Sequence, residues 1–60
     1  MSEEMKIEKM IEFVTEVISF FDDNIEKAKH ANDKRSARDW TIRRVAANDI
    51  LKGLTGIKNS

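Results

Sequence analysis

Apolar residues recur with a seven-residue period along the first half of the chain. The steps between them alternate between four and three positions, and the row consists of Ile7, Ile11, Val14, Ile18, Phe21, Ile25 and Ala28. Such steps average roughly the 3.6 residues of a helical turn, so they place the row on one stripe of an α-helix. A second row lies beside the first and consists of Met10, Phe13, Val17 and Phe20. The pattern predicts a long helix whose apolar surface is wider than one short partner helix covers.

This first helix is predicted over residues 3–31. Ser2 is a suitable N-cap, because its hydroxyl can accept a hydrogen bond from a free backbone N–H. The helix is expected to stop at the sequence Ala31-Asn32-Asp33, because Asn tolerates the left-handed conformation that ends many helices.

A second, shorter helix is predicted over residues 37–52. Ser36 and Asp39 have the spacing of a capping box, with Ser36 as the N-cap. Gly53 and Gly56 are expected to end the helix. A connector of about four or five residues is short enough to require an antiparallel hairpin. The predicted fold is therefore all-α, with a single helical-hairpin domain over residues 1–60.

The second helix is expected to pack one apolar face on the first. This face consists of Trp40, Ala47, Ile50, Leu51 and Leu54, with Ala46 at its edge. Because the second helix is about half as long, the start of the first helix is expected to extend beyond it. A surplus of apolar surface of this kind usually marks an interface. The hairpins are therefore predicted to assemble into a homo-oligomeric helical bundle through Met10, Phe13, Val17, Phe20, Ile42 and Val45.

Composition strengthens the expectation of assembly. The chain has 60 residues, no Cys and one His, so a disulfide or a thiolate metal site cannot supplement the thin core of so small a domain. No cofactor or metal is expected. Absence of Cys fits the reducing cytoplasm, and no apolar run approaches the roughly 20 residues that span a bilayer. A cytoplasmic protein without a membrane partner is predicted.

Charge is segregated along the chain although the net charge is zero. Residues 1–26 carry eight acidic and two basic side chains, whereas residues 27–60 carry nine basic and three acidic ones. Attraction between the halves favours folding them against each other, and it would also let subunits align head to tail.

Many of the cations lie near the predicted turn, where the start of the second helix also offers free N–H groups to an anion. A phosphate-bearing ligand such as a nucleotide or cyclic nucleotide is predicted to bind Lys34, Arg35, Arg38, Trp40, Arg43 and Arg44. The alternative is that these cations neutralise the acidic first helix, within or between subunits.

Arg43 is predicted to lie inside the apolar face of the second helix, where a charge is costly unless it is paired. Its partner would be Asp22 or Glu26 of the first helix, or a bound anion. Trp40, one turn away, could stack on a base or a guanidinium, or it could be the large core anchor of a small hairpin.

Catalytic motifs are absent from the sequence, which has neither a Gly-rich phosphate loop nor an H-E-x-x-H or G-x-S-x-G motif. Asp22, Asp23 and Glu26 are interpreted as a solvated helix face, and His30 as a residue that compensates the helix dipole. The protein is therefore not expected to be an enzyme.

One segment resembles a known family. The sequence Ala46-Ala47-Asn48-Asp49-Ile50-Leu51-Lys52-Gly53-Leu54 is similar to the A-x-x-D-[LI]-x-x-G-[FL] stretch in the last helix of the phage sponge proteins that sequester cyclic oligonucleotides and so disarm CBASS immunity. This resemblance implies a small, all-helical homo-oligomer that binds ligands between subunits without catalysis. It covers nine residues, and the positions that carry over, as packing positions, are Ala46, Asp49, Ile50, Gly53 and Leu54.

These observations predict a non-enzymatic, homo-oligomeric binding protein, of a size that phages often encode, which captures an anionic ligand at its basic turn. The alternative is a protein-interaction module or inhibitor that docks its apolar helix face on a host or partner protein. A third hypothesis, DNA binding, has less support, because the balanced net charge gives modest electrostatic affinity for a duplex.

Overall fold

The computed structural model describes residues 2–60, which form two α-helices joined by a short turn. Helix α1 spans Glu3–His30 and helix α2 spans Lys34–Asn59. They pack antiparallel as a narrow hairpin with extents of 45 × 16 × 11 Å. The predicted all-α hairpin is confirmed. Within the described residues, neither helix has the length and apolarity needed to cross a membrane.

Helix α1 begins and ends where the sequence indicates. The Ser2 hydroxyl accepts a hydrogen bond from the Met5 N–H at 3.3 Å, which satisfies one of the donors that a helix start leaves free. At the other end, Asn32 adopts a left-handed conformation with φ of 56°. The chain then reverses, and the Asp33 N–H donates to the Ala28 carbonyl at 2.8 Å. The left-handed Asn32 thus ends α1 as predicted.

The N-cap of α2 is Asp33, so the prediction that Ser36 caps a helix starting at residue 37 is wrong. The Asp33 carboxylate accepts hydrogen bonds from the backbone N–H of Ser36 at 3.1 Å and from its hydroxyl at 2.9 Å. These two bonds lower the pKa of the Asp33 carboxyl below its ordinary value. A carboxylate in this position satisfies free N–H groups better than Ser36 could three residues later, and α2 gains its first turn.

The predicted end of α2 near residue 52 is also wrong, since the helix continues through Gly53 and Gly56 to Asn59. Each glycine costs a helix about 1 kcal/mol relative to alanine. The additional turns compensate for this cost by making contacts with α1. Leu54 is half-buried, and the Lys58 ammonium lies 3.4 Å from the Glu8 carboxylate. The two helices are therefore nearly equal in length, and the predicted overhang of α1 is almost covered.

The helices meet along one row of residues from each. On α1 this is the predicted row from Ile7 to Ala28, of which Ile25 and Ala28 are buried and the others half-buried. The facing row of α2 has the same alternation of three and four and consists of Ala37, Trp40, Arg44, Ala47, Leu51 and Leu54. Ile50, predicted to belong to it, is instead 57% exposed. Among residues 2–60, three apolar side chains are buried, namely Ile25, Ala28 and Ala47, which leaves the hairpin a thin core.

Trp40 is the largest contributor to this core. Its ring centroid lies 5.7 Å from that of Phe20, in an edge-to-face arrangement, and 5.7 Å from that of Phe21. Aromatic pairs with this geometry contribute about 0.5–1.5 kcal/mol beyond the area that they bury. Trp40 therefore anchors the turn end of the hairpin, which is one of the two roles considered for it.

Candidate functional site

Two ion pairs join the helices and show which residues of α1 and α2 lie level with each other. Asp22 of α1 pairs with Arg44 of α2, and Glu8 pairs with Lys58. Because the helices are antiparallel, each step up α1 corresponds to one step down α2. Position 13 therefore lies about level with position 53, and position 20 with position 46.

The hairpin has two long sides of different character. An antiparallel helix pair has an approximate twofold axis perpendicular to the plane of its two helices, so that equivalent positions of both helices lie on the same side. Residues that immediately follow an inward residue on α1 include Glu8 and Asp22, and these belong to the side of the two ion pairs. Residues that immediately precede one include Met10 and Val17, and these belong to the opposite side.

The ion-paired side carries mostly polar and charged side chains, and we call it the polar side. Besides the two ion pairs, it carries three threonines whose hydroxyls donate to carbonyls of their own helix at 2.7–2.9 Å: Thr15, Thr41 and Thr55. These hydroxyls are thus satisfied within single helices. Val45, which immediately follows the inward Arg44, also lies on this side, where it is 53% exposed between Thr41 and Asn48.

The opposite side, which we call the apolar side, is formed by both helices. Its residues on α1 are Met10, Phe13, Val17 and Phe20, and those on α2 are Ala46, Ile50, Gly53 and Ile57. Phe13 is 66% exposed and Phe20 56% exposed, although the Phe20 ring also contacts Trp40 in an edge-to-face arrangement. Ile50 and Ile57 are exposed to a similar degree. The result is a strip of large apolar side chains that runs most of the length of the hairpin with its surface open.

The α2 half of this side was missed in the sequence. Ala46, Ile50, Gly53 and Ile57 follow one another in steps of four, three and four, which is the same signal that identified the second row of α1. Two predictions from the sequence obscure this signal, namely the end of α2 before Gly53 and the inward position of Ile50.

Two other predicted interface residues lie elsewhere. Ile42 is 62% exposed and lies two positions from both Trp40 and Arg44, which places it on the outer surface of α2. Val45 is 53% exposed and immediately follows Arg44, which places it on the polar side. The structure therefore separates them from Met10, Phe13, Val17 and Phe20. Assembly through Ile42 and Val45 stays a prediction, and it would need a second interface.

The prediction for Arg43 is wrong in phase by one residue. Arg44, rather than Arg43, occupies the inward position, and its Nε donates to an Asp22 carboxylate oxygen. Both partners of this pair are about half exposed, so the pair is worth no more than about 1 kcal/mol. Arg43 is exposed, and its guanidinium carbon lies 4.7 Å from the centroid of the Trp40 ring. Asp22, predicted as a partner of Arg43, pairs with Arg44 instead.

The remaining predicted ligand-binding cations are exposed at the turn. These are Lys34, Arg35 and Arg38. Together with the exposed Lys27 and Lys29, they form the group that we call the basic turn. An open cavity of about 220 Å³ lies beside it, lined by Lys29, Asn32, Asp33, Lys34 and Ala37. The Asp33 carboxylate already accepts from the first turn of α2, so the chain's own anion occupies the position predicted for phosphate. Arg43 and Arg44 lie two to three turns further along α2 and are engaged with Trp40 and Asp22.

The carboxylates near the end of α1 form no metal site. Among residues 2–60, no group of three or more His, Cys, Asp or Glu side chains is arranged to hold a metal ion. His30 lies 4.0 Å from Glu26 on the same helix, and both side chains are largely exposed.

No protein-family model matches the chain, and searches of curated proteins and of solved structures found no match. The resemblance of residues 46–54 to the phage sponge proteins therefore stays a prediction. Within that segment, Ala46, Ile50 and Gly53 lie on the apolar side, whereas Leu54 packs inward and Asp49 is exposed.

Proposed function

We propose that this protein is a non-enzymatic interaction module that binds another helical surface through its apolar side. The observation that carries the proposal is the strip of exposed Phe, Met and Ile side chains that both helices contribute to one side. Single exposed apolar residues are ordinary on protein surfaces, but a contiguous strip typically marks a binding face.

The chemistry of the strip suits helices as partners. Its residues recur at steps of three and four on each helix, so they form ridges that can enter the grooves of a facing helix. The polar side and the outer charged surface remain in water, which orients the module toward its partner.

Site-specific photo-crosslinking in the source cells tests this function. A benzophenone amino acid replaces Phe13 on the apolar side, and the matched control replaces Glu12, which is exposed and points away from that side. We expect crosslinked adducts from position 13 and none from position 12, because a photoreactive group bonds only to what lies against it.

The mass of the adduct identifies the partner class. An adduct of twice the mass of the chain indicates a second copy, and a heavier adduct, identified by mass spectrometry, indicates a different protein. Equal labelling from both positions, or no adduct from position 13, contradicts the proposed function.

A second candidate function is capture of a phosphate-bearing ligand, such as a cyclic nucleotide, at the basic turn. The observation in its favour is that five exposed cations surround one end of the hairpin. None of the five forms an ion pair with an acidic residue among residues 2–60. Exposed lysines and arginines of this kind attract phosphate groups. The internal cap by Asp33 opposes this function.

Calorimetry separates this candidate from the first. Titration of inorganic phosphate, mononucleotides and cyclic oligonucleotides should release heat with the wild-type chain if the basic turn is a site. Lys34→Ala combined with Arg35→Ala should remove most of that heat, whereas the control Lys52→Ala, distant from the turn, should preserve it. No heat from any ligand in the panel contradicts phosphate capture and leaves the interaction module unaffected.

A further inference from the structure

We infer that the partner of the apolar side is a second copy of this chain, placed so that α1 of each hairpin lies across α2 of the other. The inference rests on the proposed function and names the partner of that same face. The product is a four-helix bundle in which every neighbouring pair of helices is antiparallel.

The exposed area of the hairpin matches what a dimer needs. The chain exposes 4879 Å², whereas a compact monomer of its 6.9 kDa mass exposes about 4,000 Å² by the usual scaling of surface with mass. The excess, roughly 900 Å², is close to the area of about 800 Å² that each partner buries in a standard protein interface. One self-association through the apolar side would therefore return the chain to ordinary compactness.

The two halves of the apolar side differ in size in a complementary way. The α1 half presents bulky Phe13 and Phe20, and the α2 half presents Gly53 and Ala46 at the corresponding levels. Gly53 has no side chain between the exposed Ile50 and Ile57, which leaves a recess in the strip, and a Cβ added there meets nothing within 4 Å. When a twofold axis runs parallel to the helices, Phe13 of each copy faces the recess at Gly53 of the other, and Phe20 faces Ala46.

The alternative twofold arrangement is less suitable. Rotation about an axis across the helices would place α1 against α1 and α2 against α2. With the axis midway between the levels of Phe13 and Phe20, Phe13 meets Phe20 of the other copy and Gly53 meets Ala46, so the two large rings crowd each other and the two small residues leave a void. The distribution of charge also disfavours this alternative arrangement. Helix α1 has eight acidic and four basic side chains, and α2 has seven basic and two acidic ones, so like helices repel and unlike helices attract.

The inferred arrangement has a geometric consequence. Because the twofold axis runs along the helices, the two turns lie at the same end of the bundle. The cations of both basic turns project into solvent there, and salt screens their repulsion beyond about 8 Å at physiological ionic strength.

Two glycine variants test the packing of the recess. Gly53→Leu and Gly56→Leu both raise helix propensity, and an added Cβ meets nothing within 4 Å at either position. Gly53 lies on the apolar side, whereas Gly56 lies on the outer surface of α2. In sedimentation equilibrium, wild type and Gly56→Leu should be dimers, and Gly53→Leu should weaken the dimer by at least tenfold in Kd while circular dichroism shows undiminished helix content.

Spin labels test the orientation. The chain has no Cys, so a single Arg35→Cys variant carries one label per subunit at the turn. Electron–electron distance measurements should give a separation below half of the 45 Å length of the hairpin. A separation close to that full length would overturn the inferred orientation.

The remaining outcomes are equally decisive. A wild-type chain that stays monomeric at several hundred micromolar, or a Gly53→Leu dimer as tight as wild type, overturns the inference. Neither result removes the proposed function, because a heavier photo-crosslinked adduct at position 13 would still identify a different partner for the same face.

Discussion

Replacing Trp40 by alanine is expected to bring the hairpin close to complete unfolding at room temperature. Truncating a buried Phe or Trp to alanine costs about 3–5 kcal/mol, and since Trp40 is half-buried we expect a loss of about 2–4 kcal/mol. Domains of this size rarely have more than about 3–5 kcal/mol of stability in total. The contribution of this one side chain is therefore comparable with the total free energy of unfolding.

The physical reason is the concentration of contacts on this residue. Trp40 meets Phe20, Phe21 and Arg43, whereas the buried apolar side chains in the described part of the chain are the smaller Ile25, Ala28 and Ala47. Without the indole, the rings of Phe20 and Phe21 lose their aromatic partner on α2 and become more exposed to water.

Urea unfolding followed by circular dichroism at 222 nm measures this effect, because the variant lacks the tryptophan needed for fluorescence. Trp40→Phe, which keeps an aromatic ring beside Phe20 and Phe21, should retain most of the stability. Ile42→Ala removes an apolar side chain that is 62% exposed on the outer surface, and it should change the midpoint little. All chains are compared at one concentration, so that association contributes equally. A Trp40→Ala midpoint equal to that of wild type would contradict the role assigned to Trp40.

Helix α1 was predictable because its signals agree with one another. Its apolar row is uninterrupted from Ile7 to Ala28, Ser2 is the only capping residue near its start, and Asn32 supplies the left-handed residue at its end. Periodicity, capping and termination thus lead to the same boundaries.

Helix α2 was harder to predict because its signals compete. Asp33 and Ser36 are both good N-caps, and only the folded chain shows that Asp33 caps while Ser36 donates to it. Gly53 and Gly56 are ordinary helix terminators, but packing of Leu54 and the ion pair of Lys58 outweigh their propensity. Local preferences of about 1 kcal/mol are readily overridden by tertiary contacts.

The candidate site, too, could be predicted only in part from the sequence. The exposed row of α1 was identified from spacing alone, but its continuation on α2 required the phase of that helix. Arg44 occupies an inward position, and a charged residue there interrupts the apolar pattern that would have fixed the phase. An error of one residue turns a helix face by about 100°, which moved Arg43 inward and Ile50 away from the apolar side.

Replacing Phe13 by glutamate is expected to abolish self-association while preserving the hairpin. Phe13 is 66% exposed in the single chain, so the fold depends little on it, whereas the inferred dimer buries two copies. Burying one such side chain contributes about 2 kcal/mol, so two copies contribute about 4 kcal/mol, or roughly a thousandfold in Kd. The introduced carboxylates would also lose hydration in the interface, which adds to the effect.

The matched control is Ile42→Glu, since Ile42 is 62% exposed but lies on the outer surface of α2. Sedimentation equilibrium across a concentration series should show Phe13→Glu as a monomer and Ile42→Glu as a dimer with the wild-type Kd, both with the wild-type circular dichroism spectrum. Equal weakening by the two variants would show that general apolarity, rather than the apolar side, drives association. Weakening by Ile42→Glu alone would instead place the interface on the outer surface of α2. The pair of variants therefore decides which exposed apolar residues mediate self-association. The width of the apolar stripe cannot decide this by itself.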